Sequence, residues 1–262
     1  GGPRLMAPVQ VRRLADAAAF TGHLASLGVD LPFDSEVVVG SGSPLAQPLE
    51  VRDGSAGTLV VGNRWTVLPM EGWDGTTDGR PTDLVCRRWA RFGESGAKLV
   101  WGGEAVAVGP GGRANPNQLC IGPDSPGDLA ELRSVLVDAH VERFGSADDL
   151  LVGLQLTHSG RWAQPGAEAA PRTAYRHPLL DGRVDASGQS VLSDDELDGL
   201  SDDFVEAAVV AHDAGFAFVD VKACHGYLVH ELLSGIDRPG PFGGDLEGRT
   251  RFLRRTVEAI RH

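Results

Sequence analysis

Beginning at Phe218, the sequence reads FVDVKACHGYLVHELLSG. An apolar, strand-like run from Phe218 to Val221 ends on the polar residues Lys222, Cys224, His225 and Tyr227, and a helical pattern follows. Each of the four side chains ionises or hydrogen-bonds. A lysine ammonium is a compact donor for a growing negative charge. A tyrosine with its ordinary pKa of about 10 is protonated near neutral pH and can deliver a proton. Histidine titrates close to neutrality and serves as donor or acceptor. Cys224 beside His225 has the composition of a nucleophile with its base. Adjacent positions at a strand end point in different directions, however, so Cys224 is expected to be a small buried thiol. His158, His177, His225 and His230 have no recognised ligand spacing, and no metal site is expected.

The elements that must position these groups follow from periodicity and punctuation. Residues 12–28 predict a short Ala-rich helix closed by Gly28, followed by a loose Gly/Ser/Pro stretch. Residues 1–55 are therefore expected to be an extension of helix and strap. From residue 56 onward strands and helices alternate. RWTVLPM, AKLVWGG, LLVGLQLTH and FAFVDVK are the strand candidates. The helix candidates are PTDLVCRRWARFGESG, capped by Thr82, SPGDLAELRSVLVDAHVERFG, capped by Ser125, LSDDELDGLSDDFVEAAVVAHDAG, capped by Ser193 or Asp194, and DLEGRTRFLRRTVEAIRH. Alternation of this kind predicts an α/β fold with a parallel sheet and right-handed crossovers. A (β/α)8 barrel and an open doubly wound sheet both satisfy it. The absence of a GxGxxG turn after the first strand weakens the dinucleotide-binding form of the latter.

Bulk properties exclude several functions. A formal net charge of -12 does not draw the chain to nucleic acid or anionic membrane. Arg87, Arg88 and Arg91 are expected on a solvated helix face. No run of about 18 apolar residues predicts a membrane span, and GGPRLMAPVQ does not read as a signal peptide. Three dispersed cysteines form no disulfide framework, which favours a reducing, cytoplasmic location.

Five motifs stand in the order and spacing of a known family: GNRWTVLPMEG, GGEAVAVGPGGR, GLQLTHSGR, FVDVKACHGYLVHELLSG and FGGDLEGRTRFLRRTVEAIR. Together they resemble the Old Yellow Enzyme family of FMN-dependent NAD(P)H:flavin oxidoreductases, over roughly Leu59 to the last residue. The resemblance implies a (β/α)8 barrel, FMN as cofactor, NADH or NADPH as reductant, and a small-molecule substrate with an activated C=C bond. It places Pro69, Met70 and Glu71 where the family's backbone touches the flavin edge, Ala105 near the flavin pyrimidine, and Gln155 where an amide pairs with that ring. Thr157 falls at a substrate-pocket position, and in THSGR His158 with Arg161 is expected either to face the flavin or substrate or to brace the loop. His225 falls at the position that holds the substrate's electron-withdrawing group, and Tyr227 at that of the proton donor.

Two positions depart from the family. Lys222 replaces the usual first His or Asn of the oxygen-binding pair, and Glu71 stands where Thr or Cys is usual. Their opposite charges make them candidate partners. Only four strand–helix units are visible, whereas a barrel has eight. By resemblance, the flavin-phosphate loops follow the seventh and eighth strands. Residues 56–262 are thus expected to be the first half of a barrel, either a fragment or a chain completed by a second one or by oligomerisation. The alternatives to a C=C reductase are an FMN-dependent oxidation of substrates such as amines and a non-catalytic subunit of a split barrel.

Overall fold

The computed structural model describes residues 9–53, 57–122, 124–184 and 190–262. They form two compact units, Gly1–Pro44 and Leu45–His262. In the first, helix α1 (Ala17–Leu27) is capped by Asp16, whose carboxylate accepts from the Ala19 N–H, and is closed by Gly28 in the left-handed conformation. It starts later than the sequence predicts, because residues 11–13 form a separate 3-10 turn. The boundary at 55/56 moves to Pro44/Leu45. A cut at 55 would divide an antiparallel ladder, β1 (Leu49–Asp53) with β2 (Gly57–Val61).

The second unit is organised by Leu151–Thr157, an aliphatic run that forms β6, the longest strand of the parallel sheet. Strand β7 (Phe218–Val221) pairs along one side of it, with Gln155 opposite Asp220. Along the other side lie β4 (Leu99–Val100), within the predicted strand AKLVWGG, and β5 (Ala105–Ala107), which lies beyond that predicted strand. Leu99 and Val100 face Leu151 and Val152, but Ala105 already faces Gln155. Residues 101–104 therefore stand against residues 153–154, a bulge that re-aims Glu104. Strand β3 (Thr66–Val67) pairs with β4 and contacts the sheet again only at the Met70–Glu104 bridge. RWTVLPM is thus a two-residue strand plus a bridge. All of these pairings are parallel and run in chain order across four positions.

Alternation along β6 separates two environments. Val152, Leu154 and Leu156 point to the helices and are buried with Val85 and Trp89 of α2 (Asp83–Glu94), Leu129, Leu132 and Leu136 of α3 (Ser125–Phe144), and Leu197 and Phe204 of α5 (Asp194–Asp213). Each such side chain contributes about 1.5–3 kcal/mol by burial. The helix starts are local decisions. Thr82 caps α2, and Ser193 forms a full capping box with Glu196 on α5. The Ser125 hydroxyl instead accepts from the Gly122 N–H and donates to the Cys120 carbonyl, so the cap position of α3 falls to Asp124. Helix α7 (Leu246–Arg261) packs on α5 through an edge-to-face Phe204–Phe252 pair. Gly153, Gln155 and Thr157 occupy the other face, where Phe218, Asp220 and Lys222 continue the same alternation. No helix among the described residues is long and apolar enough to cross a membrane.

Candidate active site

The polar cluster after β7 divides by exposure. Lys222 is buried, with 5% of its surface accessible. Tyr227 is half-buried, and both Cys224 and His225 are exposed. The expectation of a buried Cys224 is therefore corrected. Past Ala223 the chain is no longer in the strand, and His225 adopts φ +60 with its ring 6.4 Å from that of Tyr227. That left-handed conformation costs a non-glycine residue about 1–2 kcal/mol. The thiol lies 3.7 Å from His225 Nδ1.

Tyr227 caps α6 (Leu228–Leu233) and is fixed from behind by the loop after β6. The Leu228 N–H donates to the His158 carbonyl at 3.2 Å. Gly160, at φ +60, packs so closely that a Cβ there would sit 2.8 Å from Leu228 N. His158 is itself buried, and its Nδ1 accepts from the Gly160 N–H at 3.1 Å. Arg161, 1% exposed, clasps the same loop to α6. It pairs with Glu231 and with Asp181 of α4 (Asp181–Val184), and donates to the Tyr175 carbonyl at 2.7 Å. Arg161 thus braces the loop, and Asp181 serves the same clasp. His177 joins the clasp through its backbone, its N–H donating to Asp181 Oδ2 at 3.1 Å, and lines a cavity of about 920 Å³ with Tyr175, Ser193 and Arg238.

Burial pushes the His158 imidazole down to about 4 from 6.5, with the nearby Arg172 charge adding to the effect. The unfolded chain takes up a proton at this residue near pH 6.5, whereas the folded one stays neutral until about pH 4. The unfolded state binds more protons in that window, so stability rises with pH across it. Urea unfolding is expected to show up to about 3 kcal/mol lost on acidification through this range. The loss should be reduced in His158→Gln, and equal pH profiles for the two proteins would rule out the assignment.

Glu71 and Lys222 do face each other, with Lys222 Nζ 3.6 Å from Glu71 Oε2. The same carboxylate oxygen accepts the Tyr227 hydroxyl hydrogen at 2.7 Å, and the ammonium lies 4.0 Å from the Tyr227 ring centroid. Burial first, then the Glu71 hydrogen bond and charge, hold the phenol well above its ordinary pKa. The loop bearing Glu71 is clamped one residue later. The Gly72 N–H donates to buried Glu104 at 2.6 Å, and Glu104 pairs with Arg88 at 2.7 Å. A Cβ on Gly72 would lie within 2.8 Å of Arg88, Asp74 and Glu104 side-chain atoms. Arg88 is therefore part of a buried network and not of a solvated face. Arg87 and Arg91 are exposed, as expected.

Across the sheet, Met70 bridges Glu104, Ala105 faces Gln155, and Gln155 faces Asp220. Ala105, Gln155 and Asp220 form one row at a single level of three neighbouring strands, and Met70 is level with Glu104, the residue before Ala105. Strands spaced about 4.8 Å apart make that row roughly 10 Å long. Gln155 Nε2 donates to Asp220 Oδ2 at 2.6 Å, leaving one N–H and the carbonyl oxygen of the amide for another partner. Asp220 was not singled out from the sequence, although it alternates with Phe218 and Lys222. Ala105 is buried, and Pro69 ends the residues leading to the bridge. Thr157 is fully buried, with no hydrogen-bond partner for its hydroxyl among the described residues. No group of metal-ligating side chains is found among the described residues.

Residues 46–262 match the model of the NADH:flavin oxidoreductase / NADH oxidase family. The chain belongs to this family. It is 29% identical over 228 residues to an NADPH dehydrogenase of Bacillus velezensis, covering 83% of this chain and 60% of that protein. An NADPH dehydrogenase of Clostridium acetobutylicum is 32% identical over 209 residues, covering 78% and 57%. The chain thus spans about three-fifths of the length of the curated relatives it matches. Among solved structures, morphinone reductase superimposes with a TM-score of 0.63 at 25% identity, over 82% of this chain and 58% of that one. An Old Yellow Enzyme from Pichia aligns with a TM-score of 0.65 at 22% identity, over 84% and 56%, and shares the fold.

Proposed function

We propose that this chain is the flavin-facing part of an FMN-dependent NAD(P)H oxidoreductase that reduces an activated C=C bond of a small molecule. The observation that carries the reading is the row Ala105–Gln155–Asp220, with the Met70 carbonyl accepting from the Ala105 N–H and Tyr227 held between Glu71 and Lys222. Such a row offers a flat, elongated ring system a backbone edge at Met70 and Glu71 and a half-committed amide at Gln155. FMN, when bound, supplies the hydride and NADH or NADPH restores it. The chain's own residues orient the substrate and manage charge and protons. Lys222 and His225 stabilise negative charge on the substrate oxygen, and Tyr227 delivers the proton to the α-carbon. Thr157 and His158 shape and brace the pocket wall. The outer edges of β3 and β7 are paired with further strand–helix units that close the barrel, carried by the rest of the polypeptide or by a second chain.

The test is optical and uses the full polypeptide. The purified protein, reconstituted with FMN, should absorb as an oxidised flavoprotein, bleach on anaerobic addition of NADPH and recover its colour with cyclohexenone. A preparation that binds no FMN would sink the reading. One that bleaches but does not recover with an enone would sink the C=C part of it alone.

A further inference from the structure

The hydroxyl hydrogen of Tyr227 points at Glu71 Oε2, not at the open face of the sheet. A carboxylate at that distance is an unusual companion for a lone acid. If Tyr227 simply gave its proton away, it would become a phenolate 2.7 Å from a carboxylate, in a half-buried setting. Both burial and the Glu71 charge resist that state. The position of Glu71 is also built: the next residue, Gly72, is fixed by Glu104 and Arg88, and the Asn115 amide donates to the Gly72 carbonyl at 3.2 Å.

We infer that Glu71 is the second member of a two-proton relay, with Tyr227 passing protons between Glu71 and the substrate. The inference rests on the reading above, in which Tyr227 faces the substrate. In the reducing direction the electron pair that follows hydride delivery to the β-carbon sits on the α-carbon. That carbon takes the Tyr227 hydroxyl proton and a C–H bond forms. Glu71, which has first taken a proton from solvent water, gives it up in the same event: its carboxylic acid O–H breaks and the proton restores the Tyr227 O–H. Glu71 ends as a carboxylate and Tyr227 ends neutral, so no phenolate arises. The hydrogen bond seen in the structure, from Tyr227 to an acceptor Glu71, is the arrangement at the end of that transfer. Lys222, 3.6 Å from Glu71 Oε2, balances the carboxylate formed. Run backwards, the same two transfers remove a proton from a substrate.

Ultraviolet difference titration of the full polypeptide, taken against its Tyr227→Phe variant, isolates the Tyr227 phenol. This needs neither flavin nor substrate. Adding Glu71→Gln should lower the Tyr227 midpoint by at least about one pH unit, a tenfold loss of proton affinity. An unchanged midpoint overturns the relay. On the FMN-loaded enzyme, substrate reduction in mixtures of H2O and D2O should give a curved proton inventory. Glu71→Gln should make it straight and slow the step about 10- to 100-fold. A straight inventory in the unsubstituted enzyme also overturns the relay, because one proton would then move. Glu71→Asp, which keeps the charge but withdraws it by one methylene, replaces Glu71→Gln if the latter does not fold, with the same direction of effect on the midpoint. Failure to bind FMN would strike the proposed function and leave the phenol titration decisive for the contact.

Discussion

Arg161→Leu is expected to destabilise the second unit by about 3–5 kcal/mol, the range for stripping one partner from a buried ionic cluster. Arg161 is 1% exposed and Glu231 6% exposed, so neither recovers its hydration in place. Removing the guanidinium strands the Glu231 carboxylate, leaves Asp181 with Arg176 as its ionic partner, and frees the Tyr175 carbonyl. Burial already raises the Glu231 carboxyl above its ordinary range, with Arg161 pulling the other way. Without Arg161 only the backbone hydrogen bonds from Ala174 and Tyr175 oppose that rise. A carboxyl whose folded pKa lies above its unfolded value binds more protons when folded, so its stability contribution falls as pH rises. The loss should therefore be largest at neutral and alkaline pH and shrink towards pH 4.5, the ordinary value for this carboxyl. Arg161→Leu combined with Glu231→Leu should recover part of the loss, since no charge is then left bare in the α6 clasp. Denaturant midpoints across pH measure all three proteins. A single-variant loss below about 1 kcal/mol would show that the cluster is not a structural clasp.

The contrast between Arg161 and Arg88 shows what the sequence makes legible. Helices α2, α5 and α7 could be placed because their caps are decided within one turn, by Thr82, Ser193 with Glu196, and Asp245. Strands β6 and β7 could be placed because each is an aliphatic run between polar or glycine-rich stretches. Arg88 could not be assigned in the same way, because its destination is Glu104, which faces it only through the bulge between β4 and β5. A bulge is a mismatch of register, and register exists only between two strands. A weaker signal was present: Val85 and Trp89 mark the buried stripe of α2, and Arg88 follows Val85 by three residues, at the edge of that stripe. The Gln155–Asp220 contact joins residues 65 apart and the Glu71–Tyr227 contact residues 156 apart. Only the fold reveals that the carboxylate of Glu71 and the phenol of Tyr227 share a proton.

Tyr227→Phe is expected to slow enone reduction by about 10²- to 10⁴-fold, the usual contribution of a positioned acid. At roughly 1.4 kcal/mol per tenfold this is about 3–5 kcal/mol of barrier. Reduction of the flavin by NADPH should change far less, because no proton is delivered to substrate carbon in that step. Rapid mixing separates the two half-reactions. The selectivity of the effect matters more than its size. Phenylalanine keeps the ring that lies under Lys222 and removes only the oxygen that Glu71 accepts from. The stability cost is that of one lost hydrogen bond to a charged acceptor, about 1.5–3 kcal/mol, and is read separately from the unfolding midpoint. If both half-reactions slowed together, the phenol would be holding the pocket in shape. If neither slowed, the proton would come from elsewhere, and exposed His225 would be the next group to replace. Selective loss in the substrate step, with flavin reduction intact, is the pattern that assigns Tyr227 to proton delivery. That pattern comes from the geometry itself, since the one atom removed is the one through which the site's only carboxylate–phenol hydrogen bond among the described residues is made.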